Sequence, residues 1–287
     1  MTDTLRFCAR RLRDLVEPIA GAVYFLPETN AAYEALGFAP RQAMTPAPSY
    51  FVSRAACMGR VPGAVVAAAF GVFDPRVVIP FVASGWATVS PEAALRARLD
   101  GTVAGLTRIL GSPPGASRAT SILLRCAATG PTEGRMLFAG LRSLPMPEPP
   151  LGALFRAADL VREHRGDSHI AAWIGHGLDA VEAQILQELW WRRPIGPYTR
   201  TRGWTDEDIA AGIAGLQTRG LLDGEELSSD GSELRGAIED ATDLQEVALV
   251  DALGDDADEL FALLEPMAMA IVEAKAYPVD PRTMTRY

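Results

Sequence analysis

Two capping boxes in the second half of this chain constrain its fold more than any other feature. Asp179 is followed three residues on by Glu182, and Thr205 by Asp208. Such a pair satisfies the free backbone N–H groups of a helix start from both sides. Behind each box, apolar residues recur at helical spacing: Val181, Ile185, Leu186 and Leu189, then Ile209, Ile213 and Leu216. A short helix is expected around residues 197–202, between the two. Gly220 ends the later helix, and Leu221-Leu222, the Asp223-Gly224 turn and Glu226-Leu227 read as a short two-stranded wing. Three more helices are expected, over about 230–242, 244–253 and 256–276.

The first half carries the same kind of punctuation. Asp74-Pro75 reads as an N-cap followed by proline at the first helical position, opening a short helix that Pro80 ends or kinks. Ser90-Pro91-Glu92 opens another, through about Leu110. Between the halves, the proline-rich run Ser143–Pro150 cannot continue a helix and reads as a linker. This divides the chain into an N-terminal helical unit, 1–143, and a C-terminal winged unit with trailing helices, 151–287. A weak internal repeat relates them. An offset of 118 residues lays Gly85-Trp86 on Gly203-Trp204 and Gly59 on Gly177. Identity is sparse enough for coincidence, but the expected helix boundaries also correspond, which favours duplication. The expected fold class is all-α: two tandem helical units with helix-turn-helix-like cores, the second with a short β-wing.

With 48% hydrophobic residues in 287, the chain can bury a large core. No run approaches the ~18 apolar residues of a membrane span, and arginines interrupt the first eighteen residues, where a signal peptide would need an apolar stretch. A cytoplasmic protein with no membrane partner is expected. Cys8, Cys57 and Cys126 are too scattered for a metal knuckle or a disulfide framework, and read as buried thiols.

The run TRGWTDEDIAAGIAGLQTRGLLD, followed by ELSSDGSELRGAIEDATD, resembles the recognition helix, wing and following helix of MarR-like winged helix-turn-helix proteins. The whole chain resembles an actinobacterial family of helix-turn-helix proteins without an established chemistry. The likeness is carried by LVEPIAGAVYFLPE, YFVSRAACMGRVP, LVREHRGDSHIAAWIGHGLDAVEA and the winged run. Relatives often have histidine after Glu-Pro-x, where this chain has Ala20, so no role carries over to that position. The resemblance implies a fold and no mechanism.

Charge disfavours nucleic acid as a partner without excluding it. The net charge is −9, and residues 223–265 hold fifteen acidic side chains against one basic, Arg235. A DNA-reading helix presents its first residues to base edges, usually as Arg, Lys, Asn, Gln or Ser. Here they are Thr205, Asp206, Glu207 and Asp208, and the wing tip is acidic too. Arg192, Arg193, Arg200, Arg202 and Arg219 are the charges that favour phosphate. A helix-turn-helix kept as a packing scaffold is the preferred reading.

All three histidines, His164, His169 and His176, lie in REHRGDSHIAAWIGH. Gly166-Asp167 is expected to break the chain there, one helix ending near Arg165 and the next starting near Ser168. His169, Trp173 and His176 would then share a face. Glu163 and Asp167 stand close enough to orient an imidazole. Acid, base and an aromatic wall together suit a ligand pocket or an acid–base site, with His164, His169, Glu163 and Asp167 in the chemical roles. Tyr24, Glu28 and Arg54 from the first half, with Trp173 and His176, are the expected ligand-binding residues. Cys57 and Met58 fall opposite the histidines under the repeat. Histidines that only hydrogen-bond within a helical core remain open as a reading, as does a metal or haem site. The spacing H-x4-H-x6-H is no standard zinc signature, and no cofactor is assigned.

The leading expectation is a small-molecule-binding protein, with an enzyme of specialised metabolism, cofactor-free or metal-assisted, left open. The runner-up is a MarR-like ligand-responsive regulator. A protein–protein module working through the acidic C-terminal helices is third.

Overall fold

The structure is a computed structural model that describes residues 2–41 and 45–281. Helices α1 (Asp3–Gly21), α2 (Pro27–Glu34), α3 (Pro48–Ala55) and α4 (Gly63–Phe70) are followed by α5 (Pro75–Thr88), α6 (Pro91–Leu110), α7 (Ala116–Thr129) and α8 (Met136–Arg142). The second half continues with α9 (Leu151–Gly175), α10 (Ala180–Trp190), α11 (Pro197–Arg200) and α12 (Asp206–Thr218). Strands β1 (Leu222–Asp223) and β2 (Glu226–Leu227) pair antiparallel as the wing, and α13 (Ser229–Leu244), α14 (Val247–Leu253) and α15 (Ala257–Glu273) complete the fold. The all-α class holds, and both capping boxes form with reciprocal side-chain and backbone bonds. No helix among the described residues is long and apolar enough to cross a membrane.

Three local expectations are corrected. Pro80 neither ends nor shortens α5, which runs through it for 14 residues; proline's fixed φ is helical, and the bond it forgoes is one among many. Gly166-Asp167 does not break the chain, since α9 is a single helix of 25 residues. Its long buried face outweighs the roughly 1 kcal/mol a mid-helix glycine costs. Asp167 instead turns outward to another helix: its Oδ2 accepts from the backbone N–H groups of Leu137 and Phe138 at 3.1 and 3.0 Å, capping the start of α8. Third, the Gly-Trp pairs differ in conformation. Gly85 sits inside α5 against Val52, whereas Gly203 has φ +94 in the turn before α12. Under the same offset α3 would fall at 166–173 within α9, α4 at 181–188 on α10 and the start of α6 at 209 within α12, and Gly59 and Gly177 both have positive φ, so that several helices correspond while the Gly-Trp element does not.

Three apolar clusters organise the interior. One gathers α1, α6, α7, α9, α14 and α15, and so draws on both sides of the proline-rich segment. A second is aromatic, centred on Phe51, Phe70, Phe73 and Trp86 in the first half. The third lies wholly within 172–238 and is the winged unit's own, from Trp173 through Ile185, Leu186 and Leu216 to Ile238.

Part of the acidic run of the C-terminus is turned inward, although most of its carboxylates, the wing tip included, stay exposed. Arg10 of α1 meets Asp243 at 2.7 Å and Asp240 at 3.2 Å, Arg6 also reaches Asp240, and Arg11 pairs with Glu265. Arginines spaced along one face of α1 thus clamp the carboxylates of α13 and α15. The charge of Asp240, Asp243 and Glu265 is met within the molecule, while that of the wing tip and of the residues around 251–259 still faces outward.

The winged unit docks on the first half around residues 72–77. The Asp74 N–H donates to the Arg202 carbonyl at 3.0 Å, and the Trp204 indole donates to Val72 O at 2.9 Å. A side chain at Gly203 would meet Val77 at 2.9 Å, so the left-handed turn and the close approach both call for glycine. Between this contact and α9 the two halves leave a space.

Candidate functional site

That space is a cavity of about 450 Å³, within the range of small-molecule sites. Its floor is α9, with Arg162, Arg165 and His169, flanked by Arg10, Arg13 and Glu17 of α1 and Glu239 of α13. Its roof is the start of the winged unit: Trp190, Trp191, Arg193, Tyr198, Thr201 and Arg202. Tyr24, Arg41, Tyr50 and Phe73 close one side, and the segment Tyr277–Val279 with Pro281 closes another. A smaller cavity of about 180 Å³ lies beneath, sharing Arg13, Glu17, Arg162, Arg165 and His169 with it and reaching Arg54 and Glu246.

His169 is half-buried at the boundary of the two spaces. Its tautomer follows from its neighbours. The Thr242 hydroxyl donates its one proton to Ile238 O at 2.7 Å, so toward His169 Nδ1, 3.0 Å away, it can only accept. Nδ1 therefore carries the hydrogen and Nε2 presents a lone pair. Burial, aided by the nearby Arg235 charge, pushes the imidazole down to about 3, against the opposing pull of Glu239. The ring is neutral at physiological pH and acts as an acceptor.

The arginines around the cavity fall into two groups. On the floor each has a carboxylate: Arg10 with Asp243, Arg13 with Asp14 at 2.8 Å, Arg162 with Glu17 at 3.1 Å and Arg165 with Asp243 at 2.8 Å. Arg41, Arg193 and Arg202 have none among the described residues. Arg41 donates to the carbonyls of Thr45 and Tyr24, at 3.1 and 3.0 Å, and lies over the Tyr50 ring. Burial lowers its pKa, and the Arg202 charge adds to that. Arg202 donates to the hydroxyls of Thr201 and Tyr198 and stacks on Tyr198 and Phe73, its carbon Cζ 4.2 and 5.0 Å from the ring centroids. Its Nε is buried without a hydrogen-bond partner. Aromatic faces carry these cations in place of counter-charges.

The other expected site residues are dispersed. Tyr24 lines the main cavity; burial pushes its phenol up to about 12 despite the arginines Arg98 and Arg162 over its ring. Glu163 and Arg54 form a two-toothed ion pair at 2.8 and 2.7 Å below it, joined by Arg162 at 2.9 Å. Burial pushes Glu163 up, but Arg54 and Arg162 outweigh it and hold the carboxyl at about 2. His164 is wholly buried, its Nδ1 2.8 Å from Glu246, with an edge contact to Phe138. Burial and the Glu163 charge raise Asp167 to about 7, against the opposing hydrogen bonds from the backbone N–H groups of Phe138 and Leu137. Glu163, His164 and Asp167 face packed protein and are structural in their contacts. Glu28 pairs with Arg108 at the surface, away from the cavity. Trp173 packs in the winged unit's core, and His176 bonds to Ala172 O at 2.8 Å at the end of α9. His169, Trp173 and His176 therefore do not share one wall. Cys57 is buried with its thiol beside the carbonyls of Arg54 and Leu137, and Met58 lines neither cavity. Among the described residues no cluster of three His, Cys, Asp or Glu side chains has the arrangement to hold a metal ion.

The roof residues are the ones the histidine cluster did not point to. Their signal lay in WWRRPIGPYTRTR, where arginines alternate with large aromatics, although that spacing reads equally well as a phosphate-binding edge. Of the five arginines that favoured phosphate, Arg193 and Arg202 turn into the cavity. Arg200 pairs with Asp206 at 2.6 Å and Arg219 with Glu182 at 3.0 Å. Arg192 is exposed. The outer face of α12 is open to solvent, presenting Asp206, Glu207, Ala210, Ala211, Ala214, Gln217 and Thr218.

Compared with known proteins, no curated protein and no solved structure matches the chain. A helix-turn-helix family matches it over residues 9–278, nearly its whole length, and the chain belongs to that helix-turn-helix family.

Proposed function

We propose that this protein binds a small molecule in the cavity between its first half and its winged unit, with the helix-turn-helix serving as scaffold and roof. The observation that carries this reading is the direction of the winged unit's arginines. Arg193 and Arg202 are spent on the cavity, Arg200 and Arg219 pair with carboxylates at the surface, and of the five only Arg192 stands exposed with no carboxylate among the described residues. What α12 offers outward is two carboxylates, three alanines and little hydrogen-bonding reach beyond Gln217 and Thr218. Neither phosphate contacts nor base readout is well served by that face. At the same site His169 supplies a neutral acceptor.

A thermal-shift screen with a small-molecule panel tests the proposal. A ligand at a hundred times its Kd adds about 2.7 kcal/mol of stability, a rise of several degrees in Tm. Thr201→Trp, which fills the cavity from its roof, should remove that rise while leaving the far-ultraviolet circular dichroism unchanged. Equal shifts in both proteins would place the binding elsewhere and end this reading.

A second reading, a ligand-responsive DNA-binding regulator of MarR-like type, is favoured by the openness of the α12 face and by the family itself. It requires duplex binding whose affinity falls steeply with salt, since each phosphate contact releases counterions. Weak binding of random duplex near physiological salt is the expected result.

A further inference from the structure

We propose that the cavity takes a hydroxylated aromatic anion, its acidic group held by Arg41 and Arg202 and its hydroxyl donating to Nε2 of His169. This rests on the cavity being a ligand site and names what the site selects. Each part follows from a group left incomplete. Arg41 spends two N–H groups on backbone carbonyls and faces no carboxylate among the described residues. Among the described residues Arg202 is satisfied only by neutral hydroxyls, and its buried Nε has no partner there. Arg41 lies over Tyr50 and Arg202 over Phe73, two rings 5.5 Å apart, and guanidinium groups so placed, with no carboxylate among the described residues, are completed by an oxyacid group such as a carboxylate, sulfonate or phosphate.

The body of the ligand is set by the rings between them. Tyr50 lies 5.1 Å from Tyr24 and 5.5 Å from Phe73, and Trp191 meets Tyr198 edge-on at 5.1 Å. Such walls favour a planar ring over an alkyl chain of equal volume. At the floor, the Thr242–Ile238 relay fixes His169 with its lone pair free. A lone pair facing a cavity selects a donor, and a ligand lacking one leaves it unpaired at a cost. A phenolic or enolic hydroxyl on the ring meets that need.

Three probes sharing one ring system separate the parts: 6-hydroxy-2-naphthoate, 2-naphthoate and 2-naphthol, titrated into the intact chain by calorimetry. The hydroxy acid should bind tightest and the naphthol weakest. Arg202→Gln should weaken both acids by at least about tenfold, the worth of one charged hydrogen bond, and leave 2-naphthol unchanged, which also reports that the fold survives. His169→Phe should bring the hydroxy acid down to the level of the plain acid. Naphthol binding as tightly as the acids, an equal loss of all three in Arg202→Gln, or no binding of any probe would overturn this ligand class. The cavity would still stand as a site if the thermal-shift screen finds a ligand that Thr201→Trp excludes; without one, both readings fall.

Discussion

The interior of α9 and the roof of the cavity above it are both rich in arginine, and they handle that charge in opposite ways. Beneath the cavity, Arg54 and Arg162 close on Glu163, and His164 closes on Glu246. In the roof and the side wall next to it, Arg41, Arg193 and Arg202 rest on tyrosine, tryptophan and phenylalanine with no carboxylate among the described residues. A buried charge whose partner comes from the same chain is part of the scaffold. A charge held on aromatic faces at the edge of an open space is completed by something from outside. The contrast separates the residues that hold the site from those that face a ligand, and the histidine cluster is divided by it, with His164 on one side and His169 on the other.

The largest effect should come from opening the compensated side. Glu163→Ala leaves the largely buried Arg54 without its carboxylate and Arg162 with Glu17 alone, a change expected to cost about 3 kcal/mol. Urea unfolding measures it. A loss below about 1 kcal/mol, the range of exposed ion pairs, would mean that the pair is hydrated and the contrast false.

Next is the pH response of the boundary residue. His169 is held at about 3, below the ordinary imidazole, so the unfolded chain takes up its proton first as pH falls. Its contribution to stability is full above about pH 6.5 and is lost progressively toward pH 3. His169→Gln keeps the hydrogen bond to Thr242 but cannot titrate. The acid side of its stability–pH curve should flatten by a few kcal/mol over that window. Parallel curves for the two proteins would show that His169 is as solvated folded as unfolded.

The smallest effect belongs to the roof. Arg202→Gln removes no ion pair and relieves repulsion with Arg41, so stability should stay within about 0.5 kcal/mol of the parent. A loss of several kcal/mol would make Arg202 a structural cation and erase the distinction between the two regions.

The regular parts of this fold were legible in the sequence because they are local. The boxes at Asp179 and Thr205, the proline start at Pro91 and the wing about Asp223-Gly224 each depend on neighbours within a few residues. Long-range pairing overrode the local signal at Gly166-Asp167, where packing along the whole of α9 carries the helix through. The same cause hid the fate of the acidic C-terminus. Asp240, Asp243 and Glu265 look like a solvated face until α1 is laid against them, and the periodic Arg6, Arg10 and Arg13 were the clue. For the proposed site, clustering of histidines pointed to the helix that floors the cavity but not to the face that lines it. His169 and Tyr24 reach the cavity, whereas Glu28, Trp173 and His176 do not line it. Arg193 and Arg202 share the run WWRRPIGPYTRTR, but Arg41 lies about 150 residues earlier, and nothing in one dimension shows that it converges with them.

A crystal structure of the protein with 6-hydroxy-2-naphthoate would test most directly whether the cavity is the working site. The expected result is density between α9 and the roof, the carboxylate within hydrogen-bond distance of Arg41 and Arg202 and the hydroxyl on Nε2 of His169. An empty cavity, with the molecule lodged instead on the outer face of α12 or on another surface, would contradict the account.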